Sequence, residues 1–116
     1  MAERDADCIF CKIAAGELDT ALVLQSERVV AFDDISPQAP VHILVVPKRH
    51  LVSVRDLGAD DGLWHEMVDV ANRAAAKRGI ADSGYRLVTN AGPDSGQEVP
   101  HLHVHLLGGR KLGRLA

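Results

Sequence analysis

The chain has 116 residues, a formal charge of −3, and 47% hydrophobic against 25% charged residues. That length and balance fit one compact globular domain over residues 1–116 and argue against a disordered chain or two independent domains. No apolar run approaches the roughly 20 residues that span a bilayer. Lysine and arginine are scattered and not gathered into the stripe that binds a duplex, so neither a membrane nor a nucleic acid is an expected partner. The opening MAERDAD is acidic and carries no apolar signal stretch, which makes the cytoplasm the expected location.

In chain order, Cys8–Ala15 (CIFCKIAA) reads as a short helix stopped at Gly16, with Ile9, Phe10 and Ile13 available for packing. Ala21–Gln25 and Val29–Asp33 are β-prone runs separated by three polar residues and predict a hairpin. Pro37 and Pro40 interrupt the next segment, and a third strand is expected from about His42 to Val46, before Pro47. From about Asp60 to Arg78, Leu63, Met67, Val70, Ala71 and Ala74 recur at helical spacing and Gly79 stands where the helix should end. Tyr85–Asn90 predicts a fourth strand, AGPDSGQEVP a loop, and His101–Leu107 a fifth strand before Gly108 and Gly109. The expected fold is α+β: a mostly antiparallel five-stranded sheet with one long helix and a short N-terminal helix.

The last strand carries the chemistry. In HLHVHLL the side chains alternate, so His101, His103 and His105 share one face while Leu102, Val104 and Leu106 line the other. Neighbouring imidazoles start about 6.6 Å apart along such a strand, close enough to surround one phosphate or one ion. Packing explains three such rings poorly, because each buried ring has two nitrogens to satisfy. Two chemistries remain: imidazoles as metal ligands, or a neutral imidazole attacking phosphorus with help from its neighbours. The upstream loop favours the second, since Gly92, Gly96 and the amides of Gln97 to Val99 suit an anion.

HLHVHLL matches His-φ-His-φ-His-φ-φ, φ being apolar, at every position, and the chain resembles the nucleotide-binding branch of the histidine triad (HIT) family. The following Gly108–Arg110 (GGR) is similar to that branch, as are FDDISPQAPVHILVVPKRH, Phe32 to His50, and RLVTNAGPDSGQEV, Arg86 to Val99. The resemblance implies a homodimeric HIT-like hydrolase of purine nucleoside phosphoramidates or related nucleotides, working through a nucleotidyl-histidine intermediate without a catalytic metal. It makes His103 the nucleophile, places His105 beside the phosphate and leaving group, and makes His42 its supporting partner. Asp34 would accept from the ribose hydroxyls. Ile9, Phe10, Ile13, Leu18, Phe32 and Ile35 would form the base pocket, and Asn90, Gly96, Gln97, Glu98 and Val99 the phosphate loop. Glu98 departs from the serine of familiar relatives, and a carboxylate there should point away from phosphate. The tail RKLGRLA lacks the aromatic and proline residues of some relatives.

Cys8 and Cys11 are too close to make a useful disulfide staple and supply half of a tetrahedral zinc site. By the same resemblance, His50 and His101 would complete a structural zinc site. Trp64 and His65, on the long helix, read as packing, surface or dimer-interface residues. Two other functions stay open at this point: a metal-dependent hydrolase that uses the three histidines as ligands, and a nucleotide-binding or interaction module that does not turn over.

Overall fold

The computed structural model of the chain describes residues 6–58 and 62–115. Most of the acidic start, Met1–Asp5, lies outside the described residues, and so does Asp60, where the long helix was expected to begin. Five strands are present: β1 (Leu22–Gln25), β2 (Val29–Asp33), β3 (Val41–Pro47), β4 (Tyr85–Val88) and β5 (Val104–Gly108). They form one sheet in the order β1-β2-β3-β5-β4, every neighbouring pair antiparallel. Helix α1 (Ile9–Ala14) and helix α2 (Leu63–Lys77) lie on it, and single 3-10 turns occur at Val54–Asp56 and Pro93–Ser95.

Period-2 alternation divides the sheet into two buried faces. Val29, Ala31, Ile43, Val45, Val104 and Leu106 pack with Leu63, Met67, Val70, Ala71, Ala74 and Ala75 of α2. On the opposite face Val30, Phe32, Leu44 and Val46 pack with Cys8, Phe10, Cys11 and Ile13. The central strands β2 and β3 are therefore apolar on both sides, which is why they read as continuous hydrophobic runs. Helix α2 ends as expected: Gly79 adopts φ +74, its amide donates to Ala76 O, and the Ile80 amide donates to Ala75 O. A side chain at that left-handed position would be strained, so glycine closes the helix and buries Ile80 against the core.

Two predicted strands are shorter or shifted. The fourth stops at Val88, and the fifth begins at Val104, not at His101. The reason lies in the backbone of residues 101–103, whose polar groups are committed elsewhere. The His101 amide donates to Val99 O, the Leu102 amide to Leu51 O, and the Thr89 hydroxyl to His103 O. The alternation of faces nevertheless persists through this segment: Leu102 is fully buried on the α2 side, while His101 and His103 are buried on the other.

Candidate active site

The register of β3 against β5 sets Leu44 opposite His105, with His42 one diagonal step away. The His42 and His105 rings meet there, Nε2 to Nδ1 at 2.9 Å. His103 precedes the ladder and stands 4.9 Å, centroid to centroid, from His105, while Phe10 of α1 stands edge-on to His103 at 5.2 Å. These rings line a cavity of about 420 Å³, together with Asp34, Ser36, Gln38 and Leu44 on one side and Asn90, Gly96, Glu98 and Val99 on the other.

Hydrogen-bond partners fix the ring protons. His103 Nδ1 lies 2.7 Å from the His101 carbonyl, which can only accept, so Nδ1 carries a proton and the lone pair of the neutral ring is on Nε2. The Gln38 amide donates to His42 Nδ1 at 3.0 Å, so the His42 proton sits on Nε2, facing His105 Nδ1 and Asp34 Oδ2 at 3.4 Å. His105 therefore holds its own proton on Nε2. The site presents one bare imidazole nitrogen, on His103, beside one N–H donor, on His105.

Burial, reinforced by the neighbouring His103 and His42 and partly opposed by Asp34, pushes His105 down to about 4. Burial also lowers His42, against the raising effect of Asp34. Both rings are thus neutral in the folded chain at pH 7. The folded state binds fewer protons than the unfolded chain below the ordinary histidine pKa near 6.5, so stability is complete above that pH and falls between about 6.5 and 4. Urea midpoints taken across that window for the wild type and His105→Asn should converge as the pH drops. Parallel curves would contradict this.

The residues predicted for the nucleotide site fall into three groups. His42, Asp34, Phe10, Asn90, Gly96, Glu98, Val99, His103 and His105 line the cavity. Ile9, Ile35 and Leu18 are 51%, 97% and 40% exposed, and Ile13 and Phe32 belong to the core; none of these five lines the cavity. Gln97 braces the loop instead: its Oε1 accepts from the Gly92 amide and its Nε2 donates to Val52 O and Val99 O. Sequence reasoning missed Ser36, Gln38 and Leu44. Leu44 was findable, being two residues from His42 on one strand face. Ser36 and Gln38 sit in the loop between β2 and β3, where no periodicity points inward.

His101 is turned away from the cavity. Its Nε2 donates to the Pro47 carbonyl at 2.9 Å, leaving Nδ1 bare at 3.3 Å from Cys8 Sγ and 3.5 Å from Cys11 Sγ. His50 Nδ1 stands 3.2 Å from Cys11 Sγ. The four ligand atoms lie within 4.8 Å of one another and can hold a metal ion. Tetrahedral bonds of about 2.3 Å to sulfur and 2.0–2.1 Å to nitrogen would set sulfur and nitrogen about 3.6 Å apart, close to the separations present. The Pro47 carbonyl supplies the outer partner that a ligating histidine usually has. Burial pushes His101 down to about 4, which keeps it in the neutral form that a metal requires. Among the described residues the other such grouping is Asp34, His42 and His105, so the three triad rings do not converge on one ion.

The model of the HIT domain family matches residues 15–112. The chain belongs to the HIT domain family. This HIT protein is 46% identical over 108 residues to the purine nucleoside phosphoramidase of Escherichia coli K12, covering 92% of this chain and 91% of the relative. It is 44% identical over 115 residues to a 13.2 kDa HIT-like protein of Azospirillum brasilense, with 94% and 91% covered. A histidine triad protein from Clostridium difficile superposes with a TM-score of 0.92 at 44% identity, covering 97% of this chain and 99% of that one. A HIT family hydrolase from Clostridium thermocellum superposes with a TM-score of 0.91 at 42% identity, with 97% and 98% covered. The expected fold class holds. Cys8 and Cys11 lie upstream of the matched segment and His50 and His101 within it, so the candidate metal cluster joins the two.

Proposed function

We propose that this HIT protein hydrolyses purine nucleoside phosphoramidates or closely related nucleotides through a nucleotidyl-His103 intermediate. The observation that carries the reading is the hydrogen-bond pattern of the cavity, which sets a lone pair on neutral His103 beside the N–H of His105. His103 Nε2 bonds to the α-phosphorus. The P–N bond breaks and its electron pair leaves with the nitrogen, which takes the His105 Nε2 proton. A neutral imidazole can act as such an acid when its charged form is suppressed. The negative charge left on the His105 ring faces the His42 Nε2–H and offsets the positive charge acquired by His103. Water then gives one proton back to His105 while its oxygen bonds to phosphorus, releasing the nucleoside monophosphate and neutral His103.

Asp34 supports ribose recognition from the cavity edge, with Oδ1 held by the Ser36 amide at 2.8 Å. Asn90, Gly96, Glu98 and Val99 line the cavity too, and their main-chain amides suit the phosphate. Incubation with adenosine phosphoramidate is the direct test. Many turnovers per site support the hydrolase; a single nucleotide bound without release of amine would make the chain a binding module.

The cluster of Cys8, Cys11, His50 and His101 suits zinc in a structural role, because two thiolates and two imidazoles form a closed tetrahedral set. Such a site would tie α1 to the sheet and supply no step of the reaction. A cytoplasmic location accords with two cysteines that form no disulfide. The homodimer we propose uses β4, which stands at the sheet edge with Leu87 36% exposed, alongside α2, where Trp64 is 39% exposed. Sedimentation at micromolar concentration should give a dimer and Leu87→Lys should shift it toward monomer; a monomeric wild type would remove this element.

A further inference from the structure

We propose that the main-chain amide of Gln38 is a positioning group for the reaction: by donating to His42 Nδ1 it selects the tautomers of the His42–His105 pair and so places a proton on His105 Nε2 in the cavity. The inference rests on the hydrolase reading above, and it adds a residue whose side chain is not the part that acts.

The pair could exist in two arrangements, with its protons on both Nε2 atoms or on both Nδ1 atoms, and only the first presents a donor to a substrate. The choice is made at its inner end. An amide cannot exchange its role as donor for that of acceptor, so the Gln38 N–H at 3.0 Å requires a bare His42 Nδ1. The His42 proton must then sit on Nε2, where two acceptors await it, His105 Nδ1 at 2.9 Å and Asp34 Oδ2 at 3.4 Å. With its Nδ1 accepting, His105 carries its proton on Nε2. A third proton would have to face either the amide hydrogen or the His42 Nε2–H, so the same contact keeps the pair neutral.

The loop is built to hold that amide in place. Gln38 stands between Pro37 and Pro40. Its side chain donates to Ser36 O at 3.2 Å, and its carbonyl accepts from Arg110 Nη2 at 3.3 Å. Gly109, at φ +91, lets the end of β5 lie against the loop: a Cβ there would fall 2.9 Å from Pro40 Cβ. If the amide were absent, His42 could carry its proton on Nδ1 and accept from His105 Nδ1–H. His105 Nε2 would then face the substrate bare and could not protonate a leaving nitrogen.

The test begins with the full-length wild type labelled with ¹⁵N at histidine, so it does not depend on any variant folding. Long-range ¹H–¹⁵N correlation should show His42 and His105 both protonated at Nε2 and bare at Nδ1. The variant Gln38→Pro removes the amide and keeps the carbonyl. Its kcat should fall about 100-fold on a nucleoside phosphoramidate with an alkylamine leaving group. On a nucleoside phosphorofluoridate, whose fluoride departs without a proton, it should fall less than about 3-fold. Gln38→Ala, which retains the amide, should keep the wild-type ring protonation and the wild-type ratio between the two substrates. A wild type that hydrolyses but carries the proton on His42 Nδ1, or a Gln38→Pro variant that loses equally on both substrates, overturns the positioning role alone. A wild type that turns over neither substrate overturns the hydrolase reading and this role with it.

Discussion

His103→Ala should lower kcat on a nucleoside phosphoramidate by about four orders of magnitude or more, because it removes the atom proposed to bond to phosphorus and leaves no substitute nucleophile. The loss should exceed that of His105→Asn, since an acid contributes about 10² to 10⁴. Binding of the nucleoside monophosphate should change only several-fold, because Asp34, Asn90, Gly96, Val99 and His105 still line the cavity. The fold should survive as well. The side chain makes one hydrogen bond, to the His101 carbonyl, and edge contacts with Phe10 and His105, whereas the core on the α2 side includes Leu102 and Val104. One readout separates chemistry from binding: wild type quenched in alkaline denaturant, where a phosphorus–imidazole bond is stable, should carry nucleotide covalently attached, and the variant should not. Undiminished hydrolysis by the variant would falsify the covalent route.

What could be read before folding follows from where the information sits. Alternation in HLHVHLL marks a side for every ring, and that side is kept even though the ladder starts only at Val104. The helical spacing from Leu63 to Ala74 and the glycine after it similarly set α2 and its stop. The strand start was misplaced because competition for the backbone of residues 101–103 comes from Leu51 and Thr89, distant in sequence. The protons of the site were also hidden. Which nitrogen of His103 is bare depends on a carbonyl two residues away, and which nitrogen of His42 is bare depends on a main-chain amide. Neither donor nor acceptor has a side-chain signature. Ile35 shows the opposite failure: it stands within the matching segment Phe32 to His50, yet its side chain is 97% exposed and lies off the cavity.

Removal of metal should have a large effect on stability and a small one on chemistry. Isolated chain is expected to carry one zinc, and Cys11→Ser to carry none, by atomic absorption. At free zinc a thousand times the dissociation constant, binding stabilises the fold by about 4 kcal/mol. In a domain of this size that corresponds to a melting temperature roughly 15 °C higher than that of the stripped protein. The loss should concentrate on the Cys8–Ile13 segment, whose Cys8 also caps α1 by accepting from the Cys11 amide. Hydrolysis at 25 °C should persist within about ten-fold, because the tautomers of His103 and His105 are set by the accepting His101 carbonyl and by the His42 Nε2–H, not by the cysteine cluster. His101 is the link between the two sites: its ring faces the cysteines while its carbonyl accepts from Nδ1 of His103, the proposed nucleophile. Movement of that residue after metal loss would therefore register as a modest fall in kcat. Abolition of turnover by a chelator in a chain that stays folded would instead favour a metal-dependent hydrolase.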